Sequence, residues 1–146
     1  MTDNVLKHAR TPAISTHPGA TVRQLAELLV REKAGAAIVL DGDKLVGIVS
    51  ERDIVRRVVA ARLDSDTTLV GEIMTTAVRT SRDARQGESM SDLMVEGHFR
   101  HLPVLDEGGK VVGMLSLRHL LRKRVDELDK KTDELLALIS TDGPGG

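Results

Sequence analysis

The sequence contains no cysteine, tryptophan or tyrosine, and its only aromatic residue is Phe99. Without cysteine there is no disulfide and no thiol chemistry, and without aromatic residues there is no stacking platform for single-stranded nucleic acid. Lys plus Arg (21) nearly balances Asp plus Glu (22), so the net charge of −1 does not favour nucleic acid or an anionic membrane. No apolar run reaches the ~20 residues of a membrane span, and the first residues lack the basic segment and apolar stretch typical of a signal peptide, so none is expected. The expected location is the cytoplasm.

An internal repeat is the main feature that the sequence does contain. The segment Lys44–Arg56 (KLVGIVSERDIVR) aligns with Lys110–Arg122 (KVVGMLSLRHLLR), 66 positions later. Just upstream, Ala37–Asp41 aligns with Leu102–Asp106, 65 positions later. Self-similarity of this kind marks a duplicated structural unit. We therefore predict two copies of roughly 60 residues each, a size compatible with one compact domain.

Both copies predict the same order of elements. Thr21 and Gln24 form a capping-box pattern before apolar residues at helical spacing. In copy 1 we expect a helix from Val22 to a stop at Gly35, strands 36–40 and 45–49, and a helix from Ser50 to Ala61. In copy 2 we expect a helix from Ser89 to Gly97, strands 101–105 and 111–115, and a last helix capped by Ser116. The predicted fold is α/β (α+β): two β-α-β-β-α units packed sheet to sheet with pseudo-twofold symmetry.

The composition along the chain predicts where these units begin and end. Copy 1 is expected over residues 10–62, a polar connector over 63–76 and copy 2 over 77–124. A C-terminal helical extension follows over 125–141, and the glycine-rich end, 142–146, is predicted to be disordered.

Three segments carry a family resemblance. They are Gly47–Arg56 (GIVSERDIVR), Phe99–Asp106 (FRHLPVLD) and the connecting Val70–Thr75 (VGEIMT). In this order the sequence resembles a tandem cystathionine-β-synthase (CBS) domain pair, the Bateman module. The resemblance implies a disc-like pair that dimerises and binds an adenosyl ligand: AMP, ADP, ATP, S-adenosylmethionine or NAD(H). It implies no catalysis and no obligatory cofactor.

The pattern Gly47-x-x-Ser50-x-x-Asp53 also has a direct physical interpretation. Gly47 permits a close approach of ligand or backbone, and Ser50 at a helix N-cap lies where backbone donors favour phosphate oxygens. Asp53, one turn later, can accept two hydrogen bonds from a ribose diol. The structural alternative is that Ser50 is only a cap and Asp53 only a first-turn acid. The family resemblance implies a composite cleft that also uses Ile48, Ala77, Val78, Arg100, His101 and Pro103.

A second, weaker cleft is implied around Ser116. It would combine Ser116 and His119 with Ala13, Ile14 and the uncharged pair Gly35–Ala36. His119 stands where the ribose-binding acid is expected, and a neutral imidazole has one acceptor nitrogen and no fixed negative charge. We therefore predict one principal nucleotide per chain.

Other candidate sites have simpler explanations. His98 and His101 have a metal-pair spacing, but no Cys, Asp or Glu completes a ligand set, and the pair is expected to end a helix and begin a strand. Ser50, Asp53 and His119 include triad residue types, yet the sequence lacks a nucleophile elbow. We predict neither a metal site nor an enzyme. Arg52 and Arg56 would either extend a phosphate site or lie on a solvated helix face.

The last helix contains a heptad-like seam. Its members are spaced by 4, 3, 4, 3 and 4 residues: Leu121, Val125, Leu128, Thr132, Leu135 and Ile139. The helix would either pack back on its own copy or form a dimer seam.

Three functions fit the sequence. The first is a regulatory module that binds an adenosine-containing nucleotide and signals to an unidentified partner protein. The others are a constitutive interaction or dimerisation module with empty clefts, and a detached regulatory subunit of an enzyme or transporter.

Overall fold

The computed structural model of the protein describes residues 6–142, with side chains from Leu6 to Ile139. In chain order the elements are β1 (Ser15–Thr16), α1 (Val22–Glu32), β2 (Ala36–Asp41), β3 (Lys44–Ser50), α2 (Glu51–Ile54) with a π-helical continuation (Val55–Val59), α3 (Val70–Ile73), a 3-10 turn (Ser81–Asp83), α4 (Met90–Gly97), β4 (His101–Leu105), β5 (Val111–Ser116) and α5 (Leu117–Asp142). The predicted mixed α/β class is confirmed. Of the end predicted to be disordered, 142–146, all but the backbone of Asp142 lies outside the described residues.

Each copy contributes one small sheet. In copy 1, β1 runs parallel to β2, and β2 pairs antiparallel with β3. In copy 2, β4 and β5 form an antiparallel hairpin. A 3-10 turn follows the connector at the place equivalent to β1, so the second sheet has two strands within residues 6–142. Gly42 (φ 63°) and Gly109 (φ 88°) occupy left-handed positions in the two hairpin turns, where glycine is favoured.

The two sheets pack against each other through their inner faces. Alternate residues of a strand point to opposite faces, and β2 uses both. Ala37 and Val39 join the core beneath α1. Ala36 and Ile38 pack instead with Met114 of the second sheet. The sheet-to-sheet packing predicted from the duplication is therefore present, and it brings residues of both copies to shared clefts.

Local hydrogen bonds define the first helix. Gln24 N donates to Thr21 Oγ1 at 3.1 Å and Thr21 N donates to Gln24 Oε1 at 2.9 Å, which confirms the predicted capping box. The predicted stop at Gly35 is wrong. Lys33 takes the left-handed conformation (φ 52°) that ends α1, and its N–H bonds back to carbonyls of the last turn. Gly35 follows that turn and borders the clefts described below.

The connector before copy 2 packs on copy 1. Ile48 and Thr75 exchange backbone hydrogen bonds of 2.9 and 3.0 Å. A Cβ on Gly47 would lie 2.6 Å from Met74 Sδ and 3.1 Å from Thr75 O. Gly47, the glycine of the Gly-x-x-Ser pattern, therefore leaves room for Met74 and Thr75 of the connector.

The N-terminal segment packs on copy 2 in the equivalent way. Arg10 and Met114 exchange backbone hydrogen bonds of 2.9 and 3.0 Å, and a Cβ on Gly113 would lie 3.0 Å from Arg10 O. Leu6 and Ala9 pack on the core of copy 2. Each copy is thus completed by the segment that precedes the other copy, so the two copies are interlocked.

The last helix extends away from both copies. Leu117 and Leu120 pack on the core of copy 2, whereas every side chain from Leu121 to Ile139 is exposed. Beyond its first turn the helix does not pack back on its own copy, one of the two arrangements expected. Among residues 6–142, no helix combines the length and apolarity needed to cross a bilayer.

Candidate functional site

A cavity of about 340 Å³, which we term the first cleft, lies where the N-terminus of α2 meets the start of β4. Six of the residues expected there line it: Ile48, Ser50, Asp53, Ala77, Arg100 and His101. Val78 and Pro103, the other two, are not among its lining residues. Pro103 is less than 2% exposed because it lies on a strand covered by the packing of the two sheets. Val78 is half-buried.

Asp53 is held by the N-terminus of its own helix. Its Oδ2 accepts hydrogen bonds from Ser50 N (2.8 Å) and Ser50 Oγ (3.1 Å), and Asp53 N donates to Ser50 Oγ at 3.3 Å. The capping role is therefore real. Asp53 Oδ1 lies 3.7 Å from Arg57 Nε, and the side chain keeps 18% exposure. A carboxylate has about four acceptor positions, so the cap fixes Asp53 in place and leaves acceptor capacity on Oδ1.

Basic side chains from both copies surround this carboxylate. The guanidinium-bearing residues that line the first cleft are Arg52, Arg56, Arg79 and Arg100, against the acidic Glu51 and Asp53. Arg52 and Arg56 border the cleft and are also exposed, so their part in a phosphate site stays a prediction. The excess of positive charge favours an anionic ligand, and the planar guanidinium group suits phosphate oxygens.

Arg79 and Phe99 also line the first cleft, and neither was predicted there from the sequence. The guanidinium carbon of Arg79 lies 5.5 Å from the centre of the Phe99 ring, a cation–π contact, and Arg79 Nε lies 3.7 Å from Asp83 Oδ2. These contacts hold Arg79 at the edge of the first cleft. Arg79 follows Ala77 by two positions, on the segment that was expected to line the cleft. This proximity could have identified Arg79 as a cleft residue.

His101 stands between the two clefts, since it lines both. Burial lowers the pKa of His101 below its ordinary 6.5 because the charged imidazolium loses solvation; Arg100 lowers it further, and Glu51 opposes the shift. A Cβ on Gly35 would lie 3.2 Å from His101 Nε2 and 3.1 Å from Glu51 Oε1. The missing side chain at Gly35 therefore leaves room for these two groups.

The second cleft has a volume of about 390 Å³. Its lining includes Ser116, His119, Ile14, Gly35 and Ala36 as expected. Ala13 instead packs between the two sheets. Further lining side chains come from the N-terminal segment and the end of α1: Lys7, His8, Arg10 and Lys33. The second cleft is thus more basic than its sequence pattern indicated.

Two of these basic groups differ in their local bonding. Arg10 is bound to the end of α1, with Nη1 donating to Glu32 O at 2.6 Å and Nη2 donating to Glu32 Oε2 at 3.2 Å. His8 Nδ1 is buried and makes no hydrogen bond within the described part of the chain. Sequence reasoning missed this lining because the N-terminal segment reaches copy 2 only through the interlocked fold.

Among residues 6–142, the triad residue types lie in different clefts. Ser50 and Asp53 line the first cleft, whereas His119 lines the second. His98 ends α4 in the left-handed conformation (φ 58°) and His101 begins β4, so the predicted helix-to-strand role of this pair is confirmed. Over the range that the structure describes, no three His, Cys, Asp or Glu side chains form a cluster able to hold a metal ion.

Fold and clefts together define a tandem-repeat module with composite cavities between its copies. The family model for the CBS domain matches residues 4–60 and 70–126, and the chain belongs to this family.

Curated relatives place this unit in proteins of different length. The chain is 31% identical over 142 residues to the meiotically up-regulated gene 70 protein of Schizosaccharomyces pombe, covering 90% of this chain but 19% of that protein. It is 31% identical over 127 residues to a 17.7 kDa protein of Acidianus ambivalens, covering 86% of this chain and 76% of that one. The chain therefore spans about a fifth of the first relative and about three quarters of the second.

Solved structures share the fold. A protein with CBS domains from Burkholderia ambifaria is 38% identical, with a TM-score of 0.69 and coverage of 81% of this chain and 85% of that one. A CBS domain protein from Pyrobaculum aerophilum, complexed with AMP, is 29% identical, with a TM-score of 0.70 and coverage of 86% and 96%. A CBS domain pair in complex with 5′-methylthioadenosine and S-adenosyl-L-methionine is 25% identical, with a TM-score of 0.66 and coverage of 81% and 96%.

Proposed function

We propose that this chain is a cytoplasmic, homodimeric regulatory module that binds an adenosine-containing nucleotide in the first cleft and signals to a partner protein. One observation carries the proposal: a capped carboxylate, Asp53, shares a cavity of about 340 Å³ with four arginine side chains. The proposal assigns the chain no catalysis of its own and requires no cofactor.

The two kinds of group suit the two ends of a nucleotide. A fixed carboxylate such as Asp53 can accept hydrogen bonds from both hydroxyls of a ribose. Arginine side chains can bind phosphate oxygens through paired N–H donors. Both groups border one cleft, so a nucleotide satisfies the site better than a simple anion or an uncharged nucleoside.

Arg100 and Asp53 belong to different copies, and this supports a regulatory role. A ligand that contacts both copies binds better when the copies hold one particular relative position. Binding then shifts the population toward that position, by an amount set by its differential affinity for the two arrangements. A partner that contacts both copies would detect the shift.

Related structures support the class of ligand. The Pyrobaculum protein is complexed with AMP, and another CBS domain pair is complexed with 5′-methylthioadenosine and S-adenosyl-L-methionine. All three molecules share the adenosyl group. We therefore expect AMP, ADP, ATP, S-adenosylmethionine or NAD(H) to be the ligand of this chain.

The lack of tryptophan and tyrosine gives a simple test. The purified protein should absorb almost nothing at 280 nm, so a co-purified nucleotide would dominate the spectrum near 260 nm, and mass spectrometry would identify it. Added ligand at ~100 times its dissociation constant should raise the free energy of unfolding by about 2.7 kcal/mol. A flat spectrum together with unchanged melting in AMP, ATP, NADH and S-adenosylmethionine would overturn the proposal.

A second function is favoured by the exposed helix α5. Its apolar side chains between Leu121 and Ile139 are uncovered by the rest of the chain, as expected of an interaction or dimerisation module that acts with empty clefts. A detached regulatory subunit of an enzyme or transporter would use both features. A stable dimer together with no binding of AMP, ATP, NADH or S-adenosylmethionine would favour the interaction module.

A further inference from the structure

Helix α5 lacks support over most of its length. It runs from Leu117 to Asp142, about 39 Å at the usual helical rise, and only its first turn packs on copy 2. From Leu121 to Ile139 each side chain is exposed. Helices without tertiary contacts are marginal in water because nucleation is unfavourable. This segment therefore needs a partner surface for stability.

The seam on α5 has the composition of a two-stranded coil. In a heptad frame its d positions are Leu121, Leu128 and Leu135, and its a positions are Val125, Thr132 and Ile139. The five apolar members are 49–66% exposed. Leucine at d combined with β-branched residues at a favours parallel dimers over larger assemblies.

Thr132 does not conflict with this assignment. Its hydroxyl donates to Leu128 O of the same helix at 2.9 Å. The polar group is thus satisfied within the helix, and the methyl group is available to the seam. A satisfied hydroxyl costs much less on burial than an unpaired one.

Charges beside the seam favour the parallel orientation. Arg124 is a g residue and Asp129 is the e residue five positions later, so parallel pairing puts Arg124 of each helix beside Asp129 of the other. The antiparallel register that overlaps the whole seam instead puts Lys131 opposite Lys131 and Asp129 opposite Asp129. Like charges at such positions repel.

We propose that α5 forms a parallel two-stranded coiled coil with α5 of a second copy of this chain, with Arg124–Asp129 pairs on both sides of the seam. The inference rests on the homodimer of the proposed function and specifies its interface. A parallel coil holds both modules at the same end of the assembly.

The orientation is tested by cross-linking, which is clean because the chain has no cysteine. In a parallel coil, residues at a d position face their own equivalents. Leu128→Cys should therefore form a disulfide-linked dimer on mild oxidation of the full-length protein. Lys130→Cys, two positions later on the outer face, is the matched control and should remain monomeric in denaturing gels. Cross-linking only between Leu128→Cys and Thr132→Cys in a mixture would demonstrate an antiparallel coil and overturn the proposal.

The charge pairs are tested by reversal. Asp129→Arg converts both pairs into repulsive ones and should weaken dimerisation by about tenfold in sedimentation, from ~0.7 kcal/mol for each of the two pairs. Adding Arg124→Asp restores opposite charges and should restore the wild-type dimer. Nucleotide binding should be unchanged in both variants, which shows that the clefts are folded. A dimer insensitive to Asp129→Arg and lacking the Leu128→Cys cross-link would leave homodimerisation intact but exclude this interface.

Discussion

The first and second clefts occupy equivalent places in the duplicated fold, yet the first presents the carboxylate of Asp53 where the second presents the imidazole of His119. Both retain the serine that ends the preceding strand, Ser50 or Ser116. The duplication has thus preserved the strand that ends at this serine and the start of the helix that follows it. The difference lies in the group best suited to recognise a ribose.

Basic residues reach the two clefts by different routes. The first receives arginines from α2 and its π-helical continuation, from the segment before the 3-10 turn and from the residue before β4. The second receives Lys7 and Arg10 from the N-terminal segment. In the second cleft Arg10 is already bound to Glu32. Both clefts are therefore lined by basic groups. Under the proposed function, the carboxylate of Asp53 would distinguish the nucleotide site from a general anion site.

Removal of Asp53 should have the largest effect. If Asp53 binds the ribose as proposed, Asp53→Ala would eliminate two charge-assisted hydrogen bonds and should weaken nucleotide binding by about 100-fold, from ~1.5 kcal/mol for each bond. Isothermal titration calorimetry would measure this loss. Because the substitution also breaks a capping box, the matched control is Gln24→Ala, which breaks the capping box of α1 away from both clefts. Equal losses of affinity in the two variants would show that Asp53 acts only as a cap.

The two interlocking glycines offer a comparison of the copies. Gly47→Ala would force Met74 and Thr75 outward, and Gly113→Ala would displace Arg10. Each should lower the free energy of unfolding by about 1–3 kcal/mol through overpacking, measured by chemical denaturation. Only Gly47→Ala should weaken nucleotide binding, because Thr75 lines the first cleft.

The control for both is Gly19→Ala. Its new Cβ would meet only the His17 side chain at an ordinary 3.4 Å, so stability should change little. If Gly113→Ala weakened binding of the principal nucleotide as strongly as Gly47→Ala, the two clefts would not be independent.

These glycines also show what the sequence could and could not predict. The capping box at Thr21–Gln24 and the N-cap at Ser50 are local features, so the sequence pattern was enough to predict them. The return hydrogen bond from Ser50 N to Asp53, which completes a second capping box, was not predicted. The use of Gly47 and Gly113 depends on segments that pack on the opposite copy, which no local pattern describes. For the same reason Lys7 and Arg10 were missed at the second cleft.

The sequence pattern also failed to predict the backbone conformation of individual residues. Gly35 was the expected helix stop, yet Lys33 takes the left-handed conformation. The intrinsic cost of that conformation for a non-glycine residue is about 1–2 kcal/mol, a size that tertiary contacts can offset. The π-helical segment Val55–Val59 has no sequence signature that we recognised.

Restoring an acid to the second cleft should make the two sites more alike. His119→Asp supplies the carboxylate that is absent there and should raise the stoichiometry from one nucleotide per chain to two, with about tenfold tighter binding at the second cleft. Calorimetry measures both quantities. His119 is exposed, so the fold should tolerate the change, and His119→Asn is the uncharged control. Two nucleotides bound per wild-type chain would contradict the predicted difference in nucleotide binding between the two clefts.

The smallest expected effect concerns pH and His101, the residue that the clefts share. Its folded-state pKa is lowered from 6.5 by burial, so between these values the unfolded chain binds more protons than the folded one. Stability without ligand should therefore fall as pH drops through 6.5 toward the folded-state value. A bound phosphate would favour the imidazolium, so affinity should rise over the same interval while stability falls.

The opposite signs make this prediction specific. Nucleotide titrations from pH 8 to pH 5.5 should show proton uptake in the wild type, detected by comparing binding enthalpies in buffers of different ionisation enthalpy. His101→Gln removes the imidazole that the two clefts share and should abolish its part of the proton uptake. His101 also lines the second cleft. The same pH series on His119→Asp would therefore show whether nucleotide binding at the second cleft is also linked to protonation of His101. A pH dependence identical in wild type and His101→Gln would show that the ligand does not contact the imidazole, and the phosphates would then have to be held by the arginines alone.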